Sequence, residues 1–282
     1  MNKTICFLCL SCYLTNYAME PKKKDVFFDA SFVLEPNKTE RGEFVAAYPS
    51  QPSKKWLAKK ASLAKLSIIL GKHFGSICPS TIQSKYFDEL RPIPLEKEYT
   101  EVIYERDILP PIMVAWLVGD LTPAQIEELT SSFFNSQEMS SGKKSLLQAM
   151  THATFDSDIM KQTAQMTPAA KNFLQNHKDC ITAYLIGNLI ERVPPYKKKD
   201  TEFYEQFEDR IYISGEVSIA SPTPEFFAQV AKEFPGNPED RIYIVAESPA
   251  ERASSYFDGA RKFSHHIHRA QSGDLERLLK KP

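Results

Sequence analysis

The sequence predicts an α/β protein in which a parallel sheet with crossover helices is interrupted, just after its first strand, by an all-helical insertion. Three observations carry this prediction. The stretch Lys24 to Leu34, KDVFFDASFVL, brings an apolar run to an end on Asp29 and turns at once toward Val33 and Leu34, the pattern of a buried strand bounded by polar residues. From residue 177 onward, short apolar runs alternate with helical stretches, which argues for parallel strands joined by helices. Between these two parts, residues 54–176 carry helical periodicity with little period-two alternation. The chain therefore divides into a leader over 1–18, a sheet unit over 20–53 and 177–282, and an insertion over 54–176.

The elements follow in order. Glu35 to Ser53 is polar, contains Pro36, Gly42 and Pro49, and reads as a loop leaving the sheet. Trp56 to His73 carries Leu63, Leu66 and Leu70 on a helical stripe that stops at Gly71 and Gly75. Ser80-Thr81-Ile82-Gln83 has the form of a capping box and predicts a helix start. Asp107 to Val118 is apolar despite Pro110 and Pro111. Thr122-Pro123-Ala124-Gln125 combines an N-cap, a first-turn proline and a capping glutamine, so a helix runs from there through Phe134. Ser141-Gly142 breaks the pattern before a helix over Lys144 to Thr154, and Thr167-Pro168 marks the last helical stretch, which ends near His177. The sheet unit resumes with strands over Cys180 to Ile186, Ile211 to Ser214 and Ile242 to Val245. Thr223-Pro224 starts a helix between the last two strands, and Ser248-Pro249-Ala250-Glu251 starts another before Gly259.

Composition sets limits on function. With 282 residues, 42% of them hydrophobic and 25% charged, the chain is long enough for one sizeable core and an insertion. A formal net charge of -1 supplies no field that would favour nucleic acid or an acidic membrane surface; the lysine groups at 22–24, 54–60 and 197–199 read as solvated faces. Met1-Asn2-Lys3, the apolar Ile5 to Leu14 and the small-residue stop at Tyr17-Ala18 form the pattern of a secretory signal peptide. The apolar core is too short for a stable membrane span. The alternatives are an amino-terminal helix, or a lipidated Cys12 that Cys9-Leu10-Ser11 approaches poorly. Cleavage near Ala18 leaves Cys78 and Cys180, either paired or free. His265, His266 and His268 offer a weak metal-ligand pattern, better read as solvent-facing.

Several stretches share one resemblance. Asp29-Ala30-Ser31-Phe32-Val33-Leu34 resembles the first motif of the haloacid dehalogenase-like (HAD) superfamily. Ile213 to Val217 with Ser221-Pro222-Thr223-Pro224-Glu225 resembles its third motif region, and Arg241 to Pro249 with Gly259 its fourth. The resemblance spans about residues 24 to 270. It implies a HAD-like Rossmannoid core with a helical cap, and a phosphatase-like chemistry in which Asp29 is the nucleophile and a Mg2+ ligand. The position two residues on, an acid in the family's phosphatases, holds Ser31, which cannot act as a general acid near neutral pH. At the second motif Gly187-Asn188 replaces a hydroxyl residue, although Asn188 fits. The lysine of the third motif is replaced by Ser221, so no fixed cation offsets repulsion between Asp29 and a phosphate dianion; Lys197 to Lys199 or Arg210 are the substitutes in reach of the sequence. Glu247 stands where the fourth motif places metal-binding aspartates and can ligate magnesium through oxygen. The resemblance thus implies an exported HAD-like protein with weak or lost phosphatase activity, its partner a small phosphorylated substrate or a protein bound by the cap. The alternative is an active divergent Mg2+-dependent phosphatase.

Overall fold

The computed structural model describes residues 23–36, 68–76, 78–99, 101–104, 107–189, 191, 201, 204–207, 209–245, 254–269, 277 and 279. The expected signal peptide, the lysines at 197–199 and Glu247 lie outside them. The sheet unit is built on five parallel strands: β1 (Lys24–Asp29), β6 (Ile181–Gly187), β7 (Ile211–Ile213), β8 (Arg241–Val245) and β9 (His266–Arg269). Their spatial order is β7-β6-β1-β8-β9. Counted along the chain this is third, second, first, fourth, fifth, a doubly wound order that reverses direction at β1. Asp29 pairs in register with Ile186 of β6, and Gly187 with Ile213 of β7, so the carboxyl ends of these strands form one rim.

Alternation along β1 explains why it is central. Val26 and Phe28 face a cluster with Leu185, Ile213, Ile242 and Ile244, whereas Phe27 faces a second cluster with Tyr243, Phe226, Phe227 and Phe263. A strand covered on both faces reads as a continuous apolar run, and all five residues of β8 are buried. Helix α9 (Pro224–Glu233) and helix α10 (Ser254–Phe263) cover the second face. Gly259, expected beyond a helix, lies inside α10, because a Cβ there would meet the Cα of Pro224 at 2.8 Å; only glycine lets the two helices approach so closely. Arg241, buried in β8, donates to the carbonyls of Phe234 and Phe263 and lies 4.7 Å from the Phe263 ring centre. Burial lowers its pKa.

Among its described residues the insertion is helical apart from a short β3–β4 pairing, Ile103–Tyr104 with Asp107–Ile108, and an extended segment over 164–166 near its end. Its helices include α2 (Pro79–Leu90), α3 (Pro111–Leu117), α4 (Pro123–Ser136), α5 (Ser141–Phe155) and α6 (Ser157–Thr163), packed around Ile112, Ile126, Phe134, Leu147 and Phe155. The Thr122 side chain and Gln125 form both halves of the expected capping box on α4. Ser80 does not cap α2: Cys78 is the N-cap and Pro79 the first helical residue, since proline's missing N–H suits that position. Gly142 lies within α5, which Ser140 caps, and residues 68–74 run helically through Gly71 and stop at Gly75, whose φ is +64°. Cys78 and Cys180 are both exposed and are not joined in a disulfide.

Two segments join the insertion to the sheet unit, and they pair with each other. Strand β2 (Leu34–Pro36) runs antiparallel to β5 (Ala164–Met166), placing Glu35 opposite Gln165. Helix α7 (Pro168–His177) begins directly behind, capped by Thr167, whose hydroxyl also donates to the Phe32 carbonyl at 2.7 Å. Phe173 and Leu174 of α7 pack against β1, in the cluster of the sheet. No helix among the described residues is long and apolar enough to cross a membrane.

Candidate functional site

In an open parallel sheet, ligands bind beyond the carboxyl ends of the strands where the strand order reverses. Here that point is the end of β1, and its terminal residue is Asp29. The carboxylate is buried, 7% exposed. Asp29 is at once the last residue of the strand and the N-cap of a one-turn helix, α1 (Ala30–Val33). Its Oδ1 accepts from the Ser31 backbone N–H at 2.9 Å and from the Ser31 hydroxyl. Ser31 therefore serves the carboxylate as a donor, in the position where the motif implied an acid.

The other oxygen, Oδ2, accepts from the hydroxyl of Tyr243 at 2.6 Å. The sequence reading placed this tyrosine inside an apolar strand and gave it no role. Tyr243 pairs in register with Phe27, two residues before Asp29, and alternation puts all three on one face. Its ring stands edge-on to Phe227 and Phe263. A signal was present in the sequence: a buried tyrosine needs a partner for its hydroxyl, and the neighbouring residues of β8 offer none.

The second motif position has a steric explanation. Gly187 ends β6 with φ +137°, and a Cβ built there would lie 3.1 Å from the Ala30 nitrogen and 3.2 Å from its Cβ. A serine or threonine here would be strained by the positive φ and would have to push Ala30 aside by a few tenths of an ångström, so the close approach of β6 to the turn after Asp29 disfavours a hydroxyl residue. Asn188 and Ser221 do come together, but on each other. The Asn188 Nδ2 donates to the Ser221 carbonyl at 2.5 Å, and the Ser221 N–H donates to Asn188 Oδ1 at 2.8 Å. One side-chain amide thus holds both backbone groups of a buried residue that precedes a cis peptide bond to Pro222. Thr223 then caps α9 through the Phe226 N–H.

Arg210 does not replace the absent lysine. It stands at the amino end of β7, away from the rim, and donates to the carbonyls of Ala183 and Gln206. His266 and His268 stack at 6.2 Å on β9 at the edge of the sheet. Among the described residues no group of three or more His, Cys, Asp or Glu could hold a metal ion.

The parallel order reversing at β1, the aspartate at that reversal and the helical unit inserted directly behind it form the arrangement that the motifs implied. The fold is a doubly wound parallel α/β sheet with a helical insertion after its first strand. No family model matches the chain, and no curated protein matches it. Solved structures do resemble it. A HAD-like hydrolase from Porphyromonas gingivalis has 12% identity over 92% of this chain and 99% of its own, with a TM-score of 0.49. The HAD hydrolase YfnB from Bacillus subtilis, bound to magnesium, has 12% identity over 92% of this chain and 100% of its own, TM-score 0.48. A HAD-family enzyme from Bacteroides thetaiotaomicron, in complex with magnesium and inorganic phosphate, has 13% identity over 90% of this chain and 99% of its own, TM-score 0.47.

The described donors of this rim do not fit magnesium well. Mg2+ takes six oxygen ligands in near-octahedral geometry. Asp29 is the one expected metal ligand among the described residues, and three donors from within the protein already engage its two oxygens.

Proposed function

We propose that this protein is a HAD-like hydrolase-superfamily member whose phosphatase activity is weak or lost, exported by residues 1–18, with the insertion as a binding surface for a protein partner. The observation that carries the reading is the closed pairing of Asn188 with Ser221. By resemblance these two positions are the ones from which a phosphate would be held. Here the amide of Asn188 is used on the Ser221 backbone, and the side chain that would bring positive charge is a serine. Ser31 adds to this, because a leaving group must then take its proton from water, a loss on the order of 10² to 10⁴ in rate.

The second reading, an active Mg2+-dependent phosphatase, is favoured by the placement of Asp29 at the strand-order reversal. In it a carboxylate oxygen of Asp29 bonds to phosphorus as the ester oxygen leaves, and water then hydrolyses the aspartyl phosphate. Glu247 would share the cation with Asp29, and Tyr243 would have to release Oδ2.

Hydrolysis of an aryl phosphate separates the two, since its good leaving group makes least demand on the missing acid. With Mg2+ present, purified protein and its Asp29→Asn variant are expected to show the same background rate. Turnover that disappears in Asp29→Asn would establish the aspartyl nucleophile and overturn the first reading.

A further inference from the structure

A carboxylate presents about four lone-pair positions, and at Asp29 three are filled from within the chain: two by the Ser31 amide and hydroxyl, one by Tyr243. The Ser31 donors belong to the local turn and would accompany Asp29 in any N-cap. The Tyr243 bond is different, because it comes from the neighbouring strand across the reversal point. Its hydroxyl cannot swing aside by a ring flip, since the C–O bond lies on the flip axis. Translation is blocked as well: Tyr243 is fully buried, with Phe227 at 5.5 Å and Phe263 at 6.4 Å between ring centres. A hydrogen bond from a hydroxyl to a carboxylate is charge-assisted and among the strong ones, whereas Mg2+ gives up its water reluctantly.

We infer that the Tyr243 hydroxyl is a built-in block on Oδ2 of Asp29, so that the native chain takes no divalent cation through this carboxylate and removing that hydroxyl weakens the block. The inference concerns the same site as the functional reading but rests on a different bond. Tyr243→Phe is the informative change, because it keeps the ring in its aromatic surroundings and removes only the donor. Oδ2 of Asp29 then loses the donor that reaches it from β8.

The test uses Mn2+ as the probe, with free Mn2+ read by electron paramagnetic resonance, on the full chain and three variants. The native protein and Asp29→Asn are expected to give the same weak, non-specific uptake. Tyr243→Phe is expected to bind Mn2+ about 10- to 100-fold more tightly, the range by which partners of metal ligands alter affinity, and Tyr243→Phe combined with Asp29→Asn is expected to lose that gain. Native protein that binds Mn2+ more tightly than Asp29→Asn overturns the inference, and this comparison needs no variant of Tyr243. A folded Tyr243→Phe with no Asp29-dependent gain overturns it too. Hydrolysis of the aryl phosphate in metal-free buffer would remove the functional reading and leave this one standing. Asp29-dependent Mn2+ binding without hydrolysis would do the reverse.

Discussion

The insertion and the rim of the sheet are held by bonds of different reach. Helices of the insertion start on side chains three residues from the amide they cap: Thr122 for α4, Ser140 for α5 and Asp156 for α6. Behind these caps lies an apolar cluster in which Ile126, Phe134 and Phe155 are fully buried. The rim depends on polar bonds between distant residues, 33 apart for Asn188 with Ser221 and 214 apart for Asp29 with Tyr243. Local bonds make helices that survive small changes elsewhere. A site assembled from distant strands has its chemistry decided by whichever neighbour the topology supplies, and here that neighbour is a tyrosine.

The sharpest way to break this contrast is to empty the insertion's core. Phe134→Ala removes a fully buried ring from α4 and should cost about 3–5 kcal/mol. Hydrogen exchange should show protection lost over residues 123–155 while β1 and β6 keep theirs; equal loss in both regions would mean that the two cores unfold as one.

Next in size is the contact beneath the rim. Replacing a helix-interior glycine by alanine ordinarily stabilises by about 1 kcal/mol. At Gly259 the sign should reverse, because the new Cβ meets Pro224 backbone at 2.8 Å and Phe227 at 3.1 Å. Forcing α9 and α10 apart should destabilise by about 1–3 kcal/mol, seen as a lower urea midpoint with exchange losses in those two helices. A stabilised Gly259→Ala would show that the helices can separate freely.

The smallest effect belongs to the surface of the insertion, where Asp120 accepts from Lys97 at 2.6 Å and from Tyr99 at 3.0 Å. The Lys97 ammonium, helped by the Tyr99 hydroxyl, holds the Asp120 pKa below its ordinary value of 3.8 against the opposing effect of burial. A depressed carboxylate contributes stability above its unfolded pKa and loses it as pH falls through the folded value, so any contribution disappears in acid below about 3.8. Burial and then Asp120 push Tyr99 up to about 12; its contribution is complete below the ordinary 10 and is lost as pH rises from there through about 12. Both groups are solvent-accessible, so Asp120→Asn should flatten the acid limb of a denaturation profile only slightly.

The same difference of reach decides what could be read from the chain. Thr122-Pro123 and Thr223-Pro224 announced helix starts correctly, because cap and amide lie three residues apart, and Thr167-Pro168, read as within or just before the last helical stretch, is its start. Ser80 misled for a local reason, as Pro79 took the first helical position. The parallel order was legible from alternating strands and helices, and Asp29 from its place at the end of a run. For Tyr243 the strand showed a buried hydroxyl in need of a partner but not which one, since the partner depends on β8 lying beside β1. Gly187 looked like the loss of a hydroxyl, while the cause was the nearness of Ala30. Neither fact has a signature within a short window of sequence.

The ribbon of β2 and β5 also bears on the order in which the molecule is made. The central strand of the sheet emerges first, and Tyr243, the partner of Asp29, follows 214 residues later. At about 5–20 residues per second the ribosome delivers it roughly 10–40 s afterwards. During that interval β1 is an apolar strand with both edges unpaired, the kind of template on which chains aggregate. The insertion, rich in local contacts, is complete before then. By pairing Glu35 with Gln165, it draws the nascent chain into a short loop, so that β6 reaches β1 by a small closure instead of a search across more than a hundred residues.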